Sequence, residues 1–229
     1  MIRRLFNRFL RIYQLLNDRK YYHLSYSQEG EDMILRKYFD TKQDGFYIDI
    51  GAHHPKRFSN TYFFYNRGWR GINVDAMPGS MKSFNVVRKR DINLEVAISN
   101  IEKDLIYYIF DEPAINGFSK EISQDREKNS PYKLIDQIKI KTETLAGILS
   151  KCLPLEVKKI DFMSIDVEGL DLEVLKSNNW EKYRPHIILV ELLDFESFDN
   201  DPIFSFLINK NYKFQAKSQY TFFFIDNQV

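Results

Sequence analysis

With 229 residues, 44% hydrophobic and 15% aromatic, the chain is sized for one α/β domain with a short appendage, not for two full domains. A net charge of +1 gives no bulk electrostatic reason to expect a nucleic-acid partner. Its one cysteine, Cys152, excludes an intrachain disulfide and a multi-cysteine zinc site and fits a reducing, cytoplasmic compartment.

Residues 1–24 read as a helical appendage and 25–229 as the main domain. Over the first twenty residues Arg3, Arg4, Arg8, Arg11 and Arg19 are interspersed with Ile2, Leu5, Phe6, Phe9, Leu10, Tyr13 and Leu16 at helical spacing, which predicts a basic amphipathic helix. Arginines interrupt the apolar run and no small-residue cleavage site follows, so the pattern is not that of a secretory signal. No stretch reaches the roughly 20 apolar residues that span a bilayer. Three surfaces suit such a helix: its own domain, a second subunit in a homodimer, or the anionic inner face of a membrane as a peripheral contact.

Serine and acidic residues in Ser25–Asp32, ahead of the apolar run Met33–Phe39, mark a helix start with carboxylates at its positive end. Phe46-Tyr-Ile-Asp-Ile50 is aromatic and β-branched enough for a strand covered on both faces. A loop over 51–58 leads to a helix from about Ser59, ended by Gly68. Gly71–Asp75 is a second strand, Pro78 and Gly79 precede a basic helix at about 80–90, and Ile92–Ile98 is a third strand. This rhythm predicts right-handed βαβ units and a parallel sheet.

Leu105–Phe110 and Gln137–Lys141 read as paired strands. The polar connection 111–133, with Pro113, Gly117 and Pro131, reads as a substrate loop. Ile160–Gly169 holds a fourth core strand, followed by a helix through Leu172, Val174 and Leu175, and His186–Glu191 is a fifth. A helix near 201–209 and a terminal antiparallel hairpin, Tyr212–Ala216 with Tyr220–Ile225, complete a Rossmann-like α/β sheet of about seven strands, mostly parallel.

Acidic residues recur at the carboxyl ends of four of these strands: Asp49, Asp75, Asp166 and Glu191. Ligands of open α/β sheets bind in the crevice beyond those ends. Asp49 is a charge in a buried strand and needs a partner or a ligand. Asp75 ends the second strand, where a carboxylate can take both hydroxyls of an adenosine ribose. Gly51-Ala-His-His-Pro-Lys56 lacks the Gly-x-Gly-x-x-Gly cradle of a pyrophosphate. That weighs against an NAD-dependent oxidoreductase and favours a methyl donor without a pyrophosphate.

Ser27-Gln-Glu-Gly-Glu-Asp32, Tyr47-Ile-Asp-Ile-Gly-Ala52, Gly68-Trp-Arg-Gly-Ile-Asn-Val-Asp75 and Ser164-Ile-Asp-Val-Glu-Gly169 together resemble the successive signatures of FkbM-type methyltransferases. They fall in that family's order across most of residues 25–192. The resemblance implies a class I, S-adenosyl-L-methionine-dependent enzyme that methylates a hydroxyl of a sugar, glycan or natural-product intermediate, as in polysaccharide modification. It also implies that Asp49, Gly51 and Ala52 line the methionine end of the cofactor and that Asp75, with Ala76 beside it, holds the ribose. Residues 94–98, Ala97 among them, would neighbour the adenine, and Asp166 would face the methyl-transfer centre. Where the family often has a further glycine this chain has Pro55, so its loop takes a different path.

An alcohol acceptor must lose a proton, which calls for a general base. His53, His54, Asp166 and Glu168 are the candidates; a histidine titrates nearest neutral pH, the two adjacent rings diverge so that at most one faces the substrate, and His53 is the one favoured. The catalytic set is therefore His53, Asp166 and Glu168. Asp166 and Glu168 share one face of an extended strand, and with His53 they would form a divalent-cation site able to bind two sugar hydroxyls. Structural roles compete: Glu168 at a helix dipole, Glu191 in an ion pair with an arginine such as Arg184. Trp69, Trp180 and Tyr62–Tyr65 read as core. The rival function is a non-catalytic binding module docked to a membrane or a glycan-assembly complex. A nucleic-acid methyltransferase is disfavoured, since no basic groove stands out beyond the first helix and Arg88-Lys-Arg90.

Overall fold

The computed structural model describes residues 2–192 and 198–228. Helix α1 (Ile2–Asp18) and a 3-10 turn at Arg19–Tyr21 lead to α2 (Glu31–Phe39), β1 (Phe46–Ile50), α3 (Tyr62–Asn66), β2 (Arg70–Asp75), α4 (Met81–Val87) and β3 (Ile92–Glu95). Next come β4 (Ala97–Ile98), β5 (Asp104–Phe110), α5 (Lys120–Asn129), β6 (Leu134–Glu143) and α6 (Leu145–Cys152). The chain closes with β7 (Ile160–Ile165), α7 (Asp171–Lys176), β8 (Pro185–Glu191), α8 (Pro202–Asn209), β9 (Tyr212–Lys217) and β10 (Thr221–Asp226).

Seven strands form the main sheet in the order β3-β2-β1-β7-β8-β10-β9. The first five in that order are parallel, whereas β10 runs antiparallel to both β8 and β9. The expected α/β fold, with its terminal hairpin, is therefore the observed one. Strand order reverses between β1 and β7, which opens a crevice beyond their carboxyl ends.

Every residue of β1 is buried because helices cover both sheet faces. Phe46, Ile48 and Ile50 join one core layer with Leu149, Val174 and Phe222. Tyr47 joins the other, with Phe64, Trp69, Phe162 and Phe223. Both tryptophans are buried, as expected of core residues.

Three local expectations are corrected. The strand expected over 92–98 is broken at Val96: β3 belongs to the main sheet, while β4 pairs with β6 in a separate three-stranded sheet, β4-β6-β5. The basic helix expected over 80–90 ends at Val87, and Arg88 turns inward with none of its surface exposed. Its guanidinium donates to Asp91 Oδ2 (2.9 Å), Tyr47 Oη (2.8 Å), Thr61 Oγ1 (2.9 Å) and the Pro55 carbonyl (3.0 Å). Such saturation is what a buried charge requires. Third, the connection 111–133 is ordered into a 3-10 turn at Pro113–Ile115 and helix α5, whose N-terminus Ser119 caps by accepting from the Ile122 amide.

That connection and the β5–β6 pair form an arm folded over the carboxyl edge of the main sheet. Across the same edge lies Ser25–Asp32. Asp32 accepts from Ser25, Ser27 and Arg36, Glu31 from Ser218 Oγ (2.8 Å), and Glu29 from the Gln219 amide (2.9 Å). The acids read as helix-dipole partners thus also staple this segment to the β9–β10 turn.

Candidate active site at the carboxyl edge of the sheet

The ends of β1, β2, β7 and β8, the arm, and residues 28–31 enclose a cavity of about 1020 Å³, counting the open space at its mouth. Gly51 forms part of its wall with φ 83°, and a Cβ there would lie 1.7 Å from the Asp166 carbonyl oxygen. Only glycine lets the ends of β1 and β7 approach this closely.

Along one side run Val96, Ala97, Ile98, Tyr107 and Phe118, an apolar and aromatic wall in which the Tyr107 and Phe118 rings lie 4.7 Å apart. Asp75 stands at its edge. Its Oδ2 accepts from the His53 amide (2.9 Å) and its Oδ1 from the Met77 amide (2.8 Å), which fixes the carboxylate and leaves each oxygen a further acceptor site. Burial raises the Asp75 pKa against these two bonds.

Opposite Asp75, three acids converge. Single oxygens of Asp166, Glu168 and Glu191 lie within 4.8 Å of one another. Asp166 is exposed at the cavity wall, and desolvation by the surrounding protein, with Glu191 and Glu168, raises its pKa well above the ordinary value. Glu168, held at φ 54°, pairs with Arg126 of α5, and burial still raises its pKa over the opposing arginine. Among the described residues, one carboxylate oxygen of Glu191 is buried without a hydrogen-bond partner. Burial, then Glu168 and Asp171, push its pKa up to about 8. The ion pair expected with Arg184 is absent because Arg184 donates to both oxygens of Asp226 (2.8 and 2.7 Å).

His53, Gly51, Asp75, Ala76, Ala97, Asp166 and Glu168 all line the cavity. Asp49 and Ala52 do not. Alternation on β1 turns Asp49 away from Ile48 and Ile50 and under α3, where it accepts from Thr61 Oγ1 (2.8 Å) at the rim of the Arg88 cluster; burial lifts its pKa to about 6. Ala52 packs on Met81 and Phe84.

The adjacent histidines diverge. His54 Nδ1 accepts from the Lys56 and Arg57 amides (3.1 and 2.9 Å), a local loop bond, while His53 stacks near Phe58 with its Nε2 buried and unpartnered. Burial and Arg57 lower the His53 pKa, which keeps the ring neutral. Glu191 takes the place expected of His53 beside Asp166 and Glu168.

A family model described as "Methyltransferase FkbM domain" matches residues 49–215. The chain belongs to the FkbM methyltransferase family. Members of this methyltransferase family in general draw their methyl group from S-adenosylmethionine. A solved structure, the methyltransferase FkbM from Methylobacillus flagellatus KT, shares the fold with a TM-score of 0.50 at 11% identity. The match covers 80% of this chain and 44% of that one, so this FkbM-family chain spans under half the length of that relative. A search of curated proteins gives no match.

Two features of this FkbM-family site escaped the sequence. Arg126 lies in a polar segment with no sign that it reaches Glu168. Glu191 was visible as an acidic strand end, but its freedom was not, since that depends on Arg184 choosing Asp226.

Proposed function

We propose that this methyltransferase uses S-adenosylmethionine to methylate a hydroxyl of a sugar, glycan or related natural-product acceptor. The observation that carries the reading is one cavity with a fixed carboxylate, Asp75, on one side and the Asp166–Glu168–Glu191 group on the other. The residues fit the cofactor: Asp75 keeps acceptor capacity for ribose hydroxyls, Ala76 and Ala97 leave room for the nucleoside, and Tyr107 and Phe118 give adenine an aromatic wall. When bound, the cofactor supplies an electrophilic methyl on a sulfonium.

The chain's own work is positioning and proton removal. Asp166 and Glu191 face the space an acceptor hydroxyl would enter, and a carboxyl titrating at about 8 is poised to take its proton near neutral pH. His53, neutral and anchored to Asp75 through its amide, orients the nucleoside side of the cavity. Glu168 holds the arm through Arg126.

A divalent cation is the alternative counter-charge for the three carboxylates, which supply oxygen ligands of the right kind. Exhaustive chelation discriminates: retained turnover leaves protons in that role, whereas loss reversed by added Mg²⁺ or Mn²⁺ establishes the cation.

Calorimetric titration with S-adenosylmethionine and S-adenosylhomocysteine tests the central reading. Micromolar binding is expected, weakened about tenfold or more in Asp75→Ala, because a buried charged hydrogen-bond acceptor is removed. Unchanged affinity in that variant would sink the ribose assignment. Heat on adding NAD(H) instead would favour the oxidoreductase.

A further inference from the structure

We infer that α1 docks on an anionic lipid bilayer surface. At 3.6 residues per turn, Phe9, Ile12, Tyr13 and Leu16 fall on one side of the helix, and Arg4, Asn7, Arg8, Arg11 and Gln14 on the other, with Leu15 among them. Among the described residues nothing covers the apolar side. Every side chain from Asn7 to Asn17 is exposed, Phe9 at 78%, Tyr13 at 66% and Leu16 at 58%. The side chains of Ile2, Arg3, Leu5, Phe6 and Arg19 lie outside the described residues. Tyr21, Tyr22 and Leu24, just beyond the helix, are exposed as well.

A contiguous apolar face of this kind on a water-soluble surface marks an interaction site. Charge identifies the occupant. No aspartate or glutamate occurs from Ile2 to Asn17, and Asp18 is the first acid in the chain. A second copy of the helix seated on the apolar face would leave the arginines of both copies without a carboxylate partner from either helix. A bilayer carrying anionic headgroups answers both faces at once: apolar side chains enter the headgroup–acyl boundary and the arginines stay among phosphates. Among the described residues no helix is long and apolar enough to cross the membrane, so α1 lies in the interface plane.

The test is flotation of the full chain with vesicles of phosphatidylglycerol and phosphatidylcholine in equal parts, against pure phosphatidylcholine. Binding to the anionic vesicles alone is expected. Each arginine near such a surface contributes about fivefold, so Arg4→Gln, Arg8→Gln and Arg11→Gln together should cut partitioning by about 100-fold, and raised salt should act likewise. Phe9→Glu with Leu16→Glu should abolish binding without changing the thermal unfolding of the domain, because those side chains are exposed. Equal binding to neutral vesicles would overturn the proposal, as would failure to float. So would dimers in sedimentation that disappear in the Phe9→Glu, Leu16→Glu variant while no vesicle binding is seen, which would make a second copy the occupant.

Discussion

At Glu191 a strand end, the cavity wall and a carboxylate oxygen with no hydrogen-bond partner among the described residues coincide, and its proton linkage has a definite sign. Its folded-state pKa, about 8, lies above the ordinary glutamate value of 4.5. The folded state therefore binds the proton more tightly than the unfolded chain, and ionisation works against folding above pH 8. As pH falls from 8 toward 4.5 the penalty disappears. Glu191→Gln should raise stability at pH 9 by about 1–3 kcal/mol, or roughly 2–10 °C in Tm. The gain should vanish near pH 4.5. Thermal melts across this range check the sign; methyl transfer should fall even as stability rises, the trade-off expected of a group retained for chemistry. An unchanged melt at pH 9 would mean that the oxygen finds a partner in solution.

The arm is the element on which acceptor binding should depend. Gly117 packs directly on Glu168, since a Cβ at Gly117 would sit 2.9 Å from the Glu168 Cβ, and Arg126 reaches both Glu168 and the Ile115 carbonyl (2.7 Å). These contacts tie the arm to the end of β7. Arg126→Ala should therefore raise the acceptor KM about tenfold and weaken cofactor binding as well, because the loss of a partly buried pair is worth about 1–3 kcal/mol and Phe118 of the aromatic wall lies on the same arm. Steady-state kinetics with calorimetry separates the two effects, and faster proteolysis within 111–133 should accompany them. From its length, prolines and polarity the connection 111–133 was legible as a candidate substrate loop. Its helix was not, since α5 has hardly any apolar face and is fixed by the Ser119 cap and by Arg126. Helix α6, capped by Thr144 accepting from the Gly147 amide (3.1 Å), was likewise absent from the sequence reading.

Across the whole molecule, Arg88 is the polar pivot that joins the loop 51–58 to β1, β2 and α3. Asp91 accepts from Arg88, Tyr47, the Gly71 amide and Asn73 Nδ2, and Thr61 relays the network to Asp49. Pro55, the departure from the family's loop, contributes its carbonyl to the same arginine. Replacing Arg88 with Met should destabilise the fold by about 3–5 kcal/mol, since Asp91 would remain buried and charged without its partner. Urea unfolding measures this, and Arg88→Met with Asp91→Leu should recover part of the loss. A loss below about 1 kcal/mol would show that water replaces the guanidinium.

The sequence by itself determined the βαβ rhythm, the buried strands and the acids at their ends. Those signals are local: a run of aromatic and β-branched residues in β1, a cap, a glycine or a proline act within a few residues of themselves. What they leave undecided is adjacency. Asp161 reaches back 115 residues to the Phe46 amide because β7 pairs with β1, and that pairing sets Asp166 beside Gly51 and brings Glu191 up on the neighbouring strand. The same packing hid Asp49 behind the cavity wall, turned Arg88 from a basic surface into a core, and left Glu191 without the arginine its sequence offered. Sequence placed carboxylates at strand ends; only the order of strands and the competition among buried polar groups decided which of them share one space.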